Sequence, residues 1–161
     1  MLVHGGPDLP EKVPVLSPWI DADLGVPMSE VSAAIDAQQG RRVIKTHTPS
    51  DGFPIWDGVT VIAVYRHPLD VFFSLRKHVA NMENAFPEDR PFLAPVPESF
   101  GHFVTGGVDR EDFGHDTLAK IALHYRQTAC LGRFPDLKVF HYADMVRDGH
   151  KAVERLAQAI G

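Results

Sequence analysis

Thr60-Val61-Ile62-Ala63-Val64-Tyr65-Arg66-His67-Pro68-Leu69-Asp70-Val71-Phe72-Phe73-Ser74 is the stretch on which the fold turns. Residues 60–66 form a near-continuous apolar run rich in β-branched side chains. That is the composition of a strand covered on both faces, as in a parallel sheet. Pro68 follows at once, and proline suits the first turn of a helix, where its missing N–H has no intrahelical acceptor to lose. Residues 69–81 then read as helix, with Leu69, Phe72, Phe73 and Val79 as the inner stripe. A buried strand running directly into a helix is half of a βαβ unit.

The same grammar extends outward. Asn84 to Pro97 is rich in proline and reads as an irregular excursion. Residues 98–105 form a short helix ended by Gly106-Gly107. Asp116 to Arg133 is a longer amphipathic helix, with Leu118, Ile121, Ala122, Tyr125 and Ala129 on one side. Leu137-Lys138-Val139-Phe140-His141-Tyr142 is another strand, and 148–160 a closing helix with a stripe of Val153, Leu156, Ala157 and Ile160. Upstream, Val43-Ile44-Lys45-Thr46-His47 reads as a short strand ended by Thr48-Pro49. Residues 29–38 read as a helix capped by Ser29 and stopped near Gly40, with Val31, Ala34 and Ile35 inward. Residues 5–27 carry five prolines and read as loop. Strands alternating with helical crossovers predict an α/β fold: a parallel sheet of about three strands (43–47, 60–66 and 137–142) flanked by helices. The connection of 48–59, between the first two of these strands, shows no evident helix.

The 161 residues suit one domain. Sixteen Lys+Arg against 21 Asp+Glu give a formal charge of −5, so the basic footprint of a nucleic-acid binder is absent. With 44% hydrophobic and 23% charged residues, the chain can build a core. Its single cysteine, Cys130, excludes an internal disulfide and fits a reducing, cytoplasmic setting. No apolar run approaches the roughly 20 residues of a membrane span, and Met1-Leu2-Val3-His4-Gly5-Gly6 lacks the pattern of a secretion signal.

Two constellations carry chemistry. Lys45-Thr46-His47 ends a predicted strand, the edge at which open α/β sheets bind ligands. A histidine there can act as general base, and a lysine beside it can offset charge on an anionic leaving group. The plain alternative is a capping histidine beside a solvated lysine. In the second constellation, Arg66 ends the central strand and Ser74 lies on the next helix. A guanidinium and a hydroxyl near helix N–H groups make a cradle for phosphate. The plain alternative pairs Arg66 with Asp70 and leaves Ser74 to water. His78, His102, His115, His124, His141 and His150 show no metal-ligand spacing and read as surface or hydrogen-bonded histidines. Asp109-Arg110-Glu111-Asp112 reads as a solvated turn. Neither G-x-G-x-x-G nor G-x-x-x-x-G-K-[ST] occurs.

Together the two constellations resemble the cytosolic-type (aryl/alcohol) sulfotransferase family. Val43-Ile44-Lys45-Thr46-His47-Thr48-Pro49 resembles its R-x-I-K-T-H-L-P segment, with Thr48 in place of the usual Leu. Val64 to Ser74 resembles its V-x-R-x-P-x-D-x-x-x-S segment. Ser17-Pro18-Trp19-Ile20, Glu98-Ser99-Phe100 and His141-Tyr142-Ala143-Asp144-Met145 continue the match in the family's order. The resemblance implies a P-loop-NTPase-like parallel sheet, with a sulfuryl group moving from 3′-phosphoadenosine 5′-phosphosulfate to a hydroxyl or amine of a small-molecule phenol, alcohol or amine. It implies His47 as base, Lys45 as charge stabiliser, Arg66 and Ser74 as ligands of the 3′-phosphate, Tyr142 against the adenine, and no metal. The family's phosphate loop P-K-S-G-T-T-W and its Gly-rich R-K-G-x-x-G segment have no counterpart here, and Met1 to Gly6 resembles the tail of the helix after that loop. The sequence thus reads as the central part, 1–161, of one such domain, with little transfer expected of it alone. A non-catalytic nucleotide-binding or interaction module is the alternative, and a P-loop nucleotide kinase a remoter one. Phe53, Trp56, Phe86 and Phe92 read either as an apolar acceptor pocket or as ordinary packing.

Overall fold

The computed structural model describes residues 8–21, 26–83, 87–108 and 116–161. The expectations for Met1 to Gly6, Phe86, His115 and the turn at 109–112 fall outside them. The chain divides into two compact units, Met1–Thr48 and Pro49–Gly161.

In the first unit, helices α1 (Val13–Leu16) and α2 (Met28–Ala37) flank a strand-like segment. The helix expected over 29–38 forms almost as read, but Pro27 rather than Ser29 precedes its first turn, without a side-chain cap. Gly40 (φ 74°) takes the left-handed turn after the helix, the conformation that glycine adopts without strain. Val31 and Ile35 are half-buried, whereas Ala34 is exposed.

The strand expected over 43–47 is reduced to a single parallel bridge between Lys45 and Trp19, and no strand of the sheet includes it. The Lys45 N–H donates to the Pro18 carbonyl at 2.9 Å, and the Ile20 N–H to the Lys45 carbonyl at 3.1 Å. The ladder stops there for a local reason. The N–H groups of His47 and Thr48 donate to the Asp21 carboxylate instead of to a neighbouring strand.

The second unit holds the sheet. Strands β1 (Val61–Tyr65) and β2 (Leu137–His141) pair in parallel, in a register from Val61↔Leu137 to Tyr65↔His141. The sheet therefore has two strands among the described residues, where three were expected. A clamp at the entry sets the register: the Val61 N–H donates to the Asp136 carbonyl at 2.9 Å, and Thr60 Oγ1 to Asp136 Oδ2 at 2.6 Å. Ala63 and Phe140 are buried, but Ile62, Val64 and Val139 are exposed, so the apolar run is not covered on both faces.

The crossover between the strands contains α3 (Pro68–Ala80), a 3-10 stretch (Pro87–Leu93), α4 (Val96–Thr105) and α5 (Leu118–Tyr125), which passes into a π-turn (Arg126–Cys130). Two more helices, α6 (Tyr142–Arg147) and α7 (Gly149–Ile160), follow β2. The core is Phe72, Val79, Phe92 and Phe103, packed with Leu75, Leu118 and Ile121. Of the expected inner stripe of α3, Leu69 and Phe73 face out. At about 100° per residue Phe73 sits a quarter-turn or more from Phe72, and only one of the two can centre the buried face. Arg76 Nη1 lies 2.8 and 2.6 Å from the carbonyl oxygens of Phe92 and Ala94 and 2.6 Å from Ser99 Oγ, tying α3 to the irregular stretch and to α4.

The long helix read over 116–133 begins at a true cap, with Thr117 Oγ1 accepting from the Lys120 N–H at 3.2 Å. It widens at its end. In the π-turn Thr128 is buried and accepts from the Ser50 N–H at 3.2 Å, while Ser50 Oγ donates to the Gln127 carbonyl at 2.6 Å.

Candidate active site

Each unit presents one of the two constellations. In the first, the Trp19–Lys45 bridge brings three side chains together. Lys45 Nζ lies 3.9 Å from the centroid of the Trp19 ring, a cation–π contact. The His47 ring meets the same indole edge-on, centroids 4.5 Å apart at 69°. Trp19 Nε1 is buried and has no hydrogen-bond partner. Lys45 and His47, two apart in sequence, thus both meet the Trp19 indole.

The segment around His47 is bound by a residue that sequence reading did not single out. Asp21 Oδ2 accepts from Thr46 Oγ1 at 2.7 Å, from the His47 N–H at 2.6 Å, and from the Thr48 N–H and Oγ1, each at 2.7 Å. Partial burial pushes the Asp21 carboxyl up, but the hydrogen bonds from Thr46, Thr48 and the two backbone N–H groups outweigh it and hold the group below its usual 3.8. The legible signal was an acid placed just after Ser17-Pro18-Trp19-Ile20, together with hydroxyls on both sides of His47.

In the second unit, the parallel register decides which side chains meet. Tyr65 pairs with His141, so the residues that follow them, Arg66 and Tyr142, leave the same carboxyl edge side by side. The Arg66 guanidinium stacks on the Tyr142 ring, Cζ 4.6 Å from its centroid. Arg66 Nε is buried with no hydrogen-bond partner. The pairing of Arg66 with Asp70 is not among the ion pairs of the described residues. His67 caps α3, its Nδ1 accepting from the Leu69 N–H at 3.3 Å, and Pro68 opens the helix. Ser74 lies further along α3 and is exposed.

Of the aromatic residues read as an acceptor pocket, Phe53, Trp56 and Phe92 are described. Phe92 belongs to the core, and Phe53 stacks between Trp56 and Phe134 at 6.4 and 5.5 Å. Of the other histidines, His124 Nδ1 lies 3.1 Å from Tyr65 Oη, and His150 lies 3.5 Å from Glu154. A cavity of about 220 Å³ lies between α6 and α7, lined by Asp144, Arg147, Asp148, Lys151 and Arg155 among others. Among the described residues no group of His, Cys, Asp or Glu is placed to hold a metal ion, and no helix is long and apolar enough to cross a membrane.

Two kinds of comparison converge on one family. The family model described as "Sulfotransferase domain" matches residues 4–161. A glycolipid sulfotransferase of Mycobacterium bovis (strain BCG / Pasteur 1173P2) is 37% identical over 192 aligned positions, covering 100% of this chain and 57% of the relative. A glycolipid sulfotransferase of Mycobacterium tuberculosis (strain ATCC 25177 / H37Ra) is 36% identical over 191, with the same coverage. The chain thus spans a little over half the length of these relatives. With a parallel βαβ crossover and a match across almost its whole length, this chain belongs to the sulfotransferase-domain family.

Proposed function

We propose that this chain takes part in sulfuryl transfer from 3′-phosphoadenosine 5′-phosphosulfate to an acceptor hydroxyl. The observation that carries the reading is the cluster of Lys45 and His47 on the Trp19 ring, a cation and a potential base held by one platform. His47 takes the proton from the acceptor hydroxyl as its oxygen attacks sulfur. The donor supplies the activated sulfuryl group, whose bond to the 5′-phosphate oxygen breaks with the electron pair leaving on the nucleotide. Lys45 offsets the charge that develops on that oxygen. Sulfuryl transfer, like phosphoryl transfer, depends on positioning and charge stabilisation, which these side chains supply.

Arg66, Ser74 and Tyr142 hold the donor in this reading. An unpartnered, buried Arg66 Nε beside an aromatic face fits a nucleotide 3′-phosphate with its base nearby. The relatives named as glycolipid sulfotransferases favour an alcohol on a glycolipid over a phenol or an amine as acceptor. The sole cysteine, exposed and free, fits a cytoplasmic location.

The test follows radiolabelled sulfate from the donor to a glycolipid, a simple alcohol and a simple phenol. General-base help is worth roughly 10²–10⁴ in rate. In a longer form that carries the family's phosphate loop, His47→Ala is therefore expected to lower turnover at least about a hundredfold with nucleotide affinity nearly unchanged. Normal turnover in the longer His47→Ala form would remove His47 from the reaction.

A further inference from the structure

Asp21 gathers four hydrogen bonds on one carboxylate oxygen, and the sulfotransferase reading assigns it nothing. Four donors converge on its Oδ2, two from backbone and two from threonine hydroxyls. Thr48 supplies two of the four, its N–H and its Oγ1. This is the position at which the sequence departs from the family's usual leucine, and a leucine would leave the oxygen one donor short. The Thr48 N–H also lies 2.9 Å from Thr46 Oγ1, so the three residues 46–48 are folded around one anion. Bonds to an ionised acceptor are roughly twice as strong as neutral ones.

The geometry explains why an acid is needed there. The Trp19–Lys45 bridge stops at one pair, which leaves the backbone beyond Lys45 without a strand partner. A turn so short has no ladder to hold it. The Asp21 carboxylate takes over the N–H groups of both His47 and Thr48, and thereby fixes the backbone from which the imidazole projects against Trp19.

We propose that Asp21 is a positioning residue that anchors the Thr46-His47-Thr48 turn and so sets the orientation of the His47 imidazole for proton transfer. The proposal rests on the reading of His47 as base. A misplacement of about 1 Å can cost roughly 10²-fold in rate, so such an anchor acts on turnover without touching substrate.

The test is amide hydrogen exchange, residue by residue, on the full chain and its Asp21→Ala and Asp21→Asn variants. A hydrogen bond to a charged group contributes about 1.5–3 kcal/mol, so exchange at the His47 and Thr48 amides should quicken at least about tenfold in Asp21→Ala. Asp21→Asn keeps an acceptor of the same shape without the charge and should show about half that effect on a logarithmic scale. The Lys45 amide, bonded to Pro18, is the control and should stay protected in both variants. Unchanged exchange at His47 and Thr48 overturns the proposal. So does loss of protection at Lys45 in both variants, since Asp21 would then hold the fold rather than the turn. In the sulfate-transfer assay, Asp21→Asn should lower kcat at constant nucleotide affinity and add no further loss to His47→Ala. Full turnover in His47→Ala refutes the base reading and leaves the exchange result to judge the anchor.

Discussion

Arg66 is where the site reading can be tested most sharply, because two readings of the same side chain predict opposite outcomes. The guanidinium is stacked on Tyr142 at 4.6 Å, its Nε is buried without a partner, and it has no ion pair with Asp70. A buried donor left unsatisfied is a cost to the fold of about 1–3 kcal/mol. Arg66→Met, which keeps the stem and removes the polar group, is therefore expected to leave the melting temperature unchanged or raise it. A structural ion pair would predict the reverse. For binding, one charge-assisted bond to phosphate is worth about 1.5–3 kcal/mol, roughly ten- to a hundred-and-fifty-fold in affinity. Calorimetric titration with adenosine 3′,5′-bisphosphate should show that loss in Arg66→Met, with partial recovery in Arg66→Lys, which restores charge but not the planar fork. Adenosine 5′-monophosphate lacks the 3′-phosphate, so its affinity should fall little. Equal losses for the two nucleotides, or none for either, would refute the 3′-phosphate assignment.

Three further outcomes follow from the same geometry. Phe72 is fully buried among Phe92, Phe103 and Val79, so Phe72→Ala should cost about 3–5 kcal/mol, read by denaturant unfolding. A Cβ on Gly106 would lie 2.5 Å from Thr117 Cγ2 and 2.9 Å from the His102 carbonyl, while one on Gly107 meets nothing within 4 Å. Gly106→Ala should thus destabilise by about 1–3 kcal/mol and Gly107→Ala by much less, compared by thermal melting. The Asp136 carboxyl is held below 3.8 by hydrogen bonds from Lys138 and then Thr60, which outweigh the opposing effect of burial. A group with a depressed native pKa stabilises the fold above its unfolded value and loses that contribution as pH falls through the native one. Acid unfolding monitored below about pH 4 should therefore lose part of its pH dependence in Asp136→Asn.

What sequence alone determined was local. The apolar run at 60–66, the proline that follows it and the helix beyond define the strand-to-helix unit, because backbone preference and side-chain periodicity act over a few residues. The closing strand and helix and the stop at Gly106 were legible in the same way, whereas the roles proposed for Lys45, His47, Arg66, Ser74 and Tyr142 rest on the two constellations and the family resemblance. Tertiary structure decided the rest. Whether Val43-Ile44-Lys45-Thr46-His47 becomes a strand depends on a partner for its backbone, and Asp21, more than twenty residues away, takes the N–H groups that a strand would need. Which phenylalanine of α3 is buried depends on what packs over it, and Phe92, from a stretch that read as irregular, fills that place. Arg66 and Tyr142 become neighbours only through the register of β1 with β2, a long-range pairing that no local preference encodes.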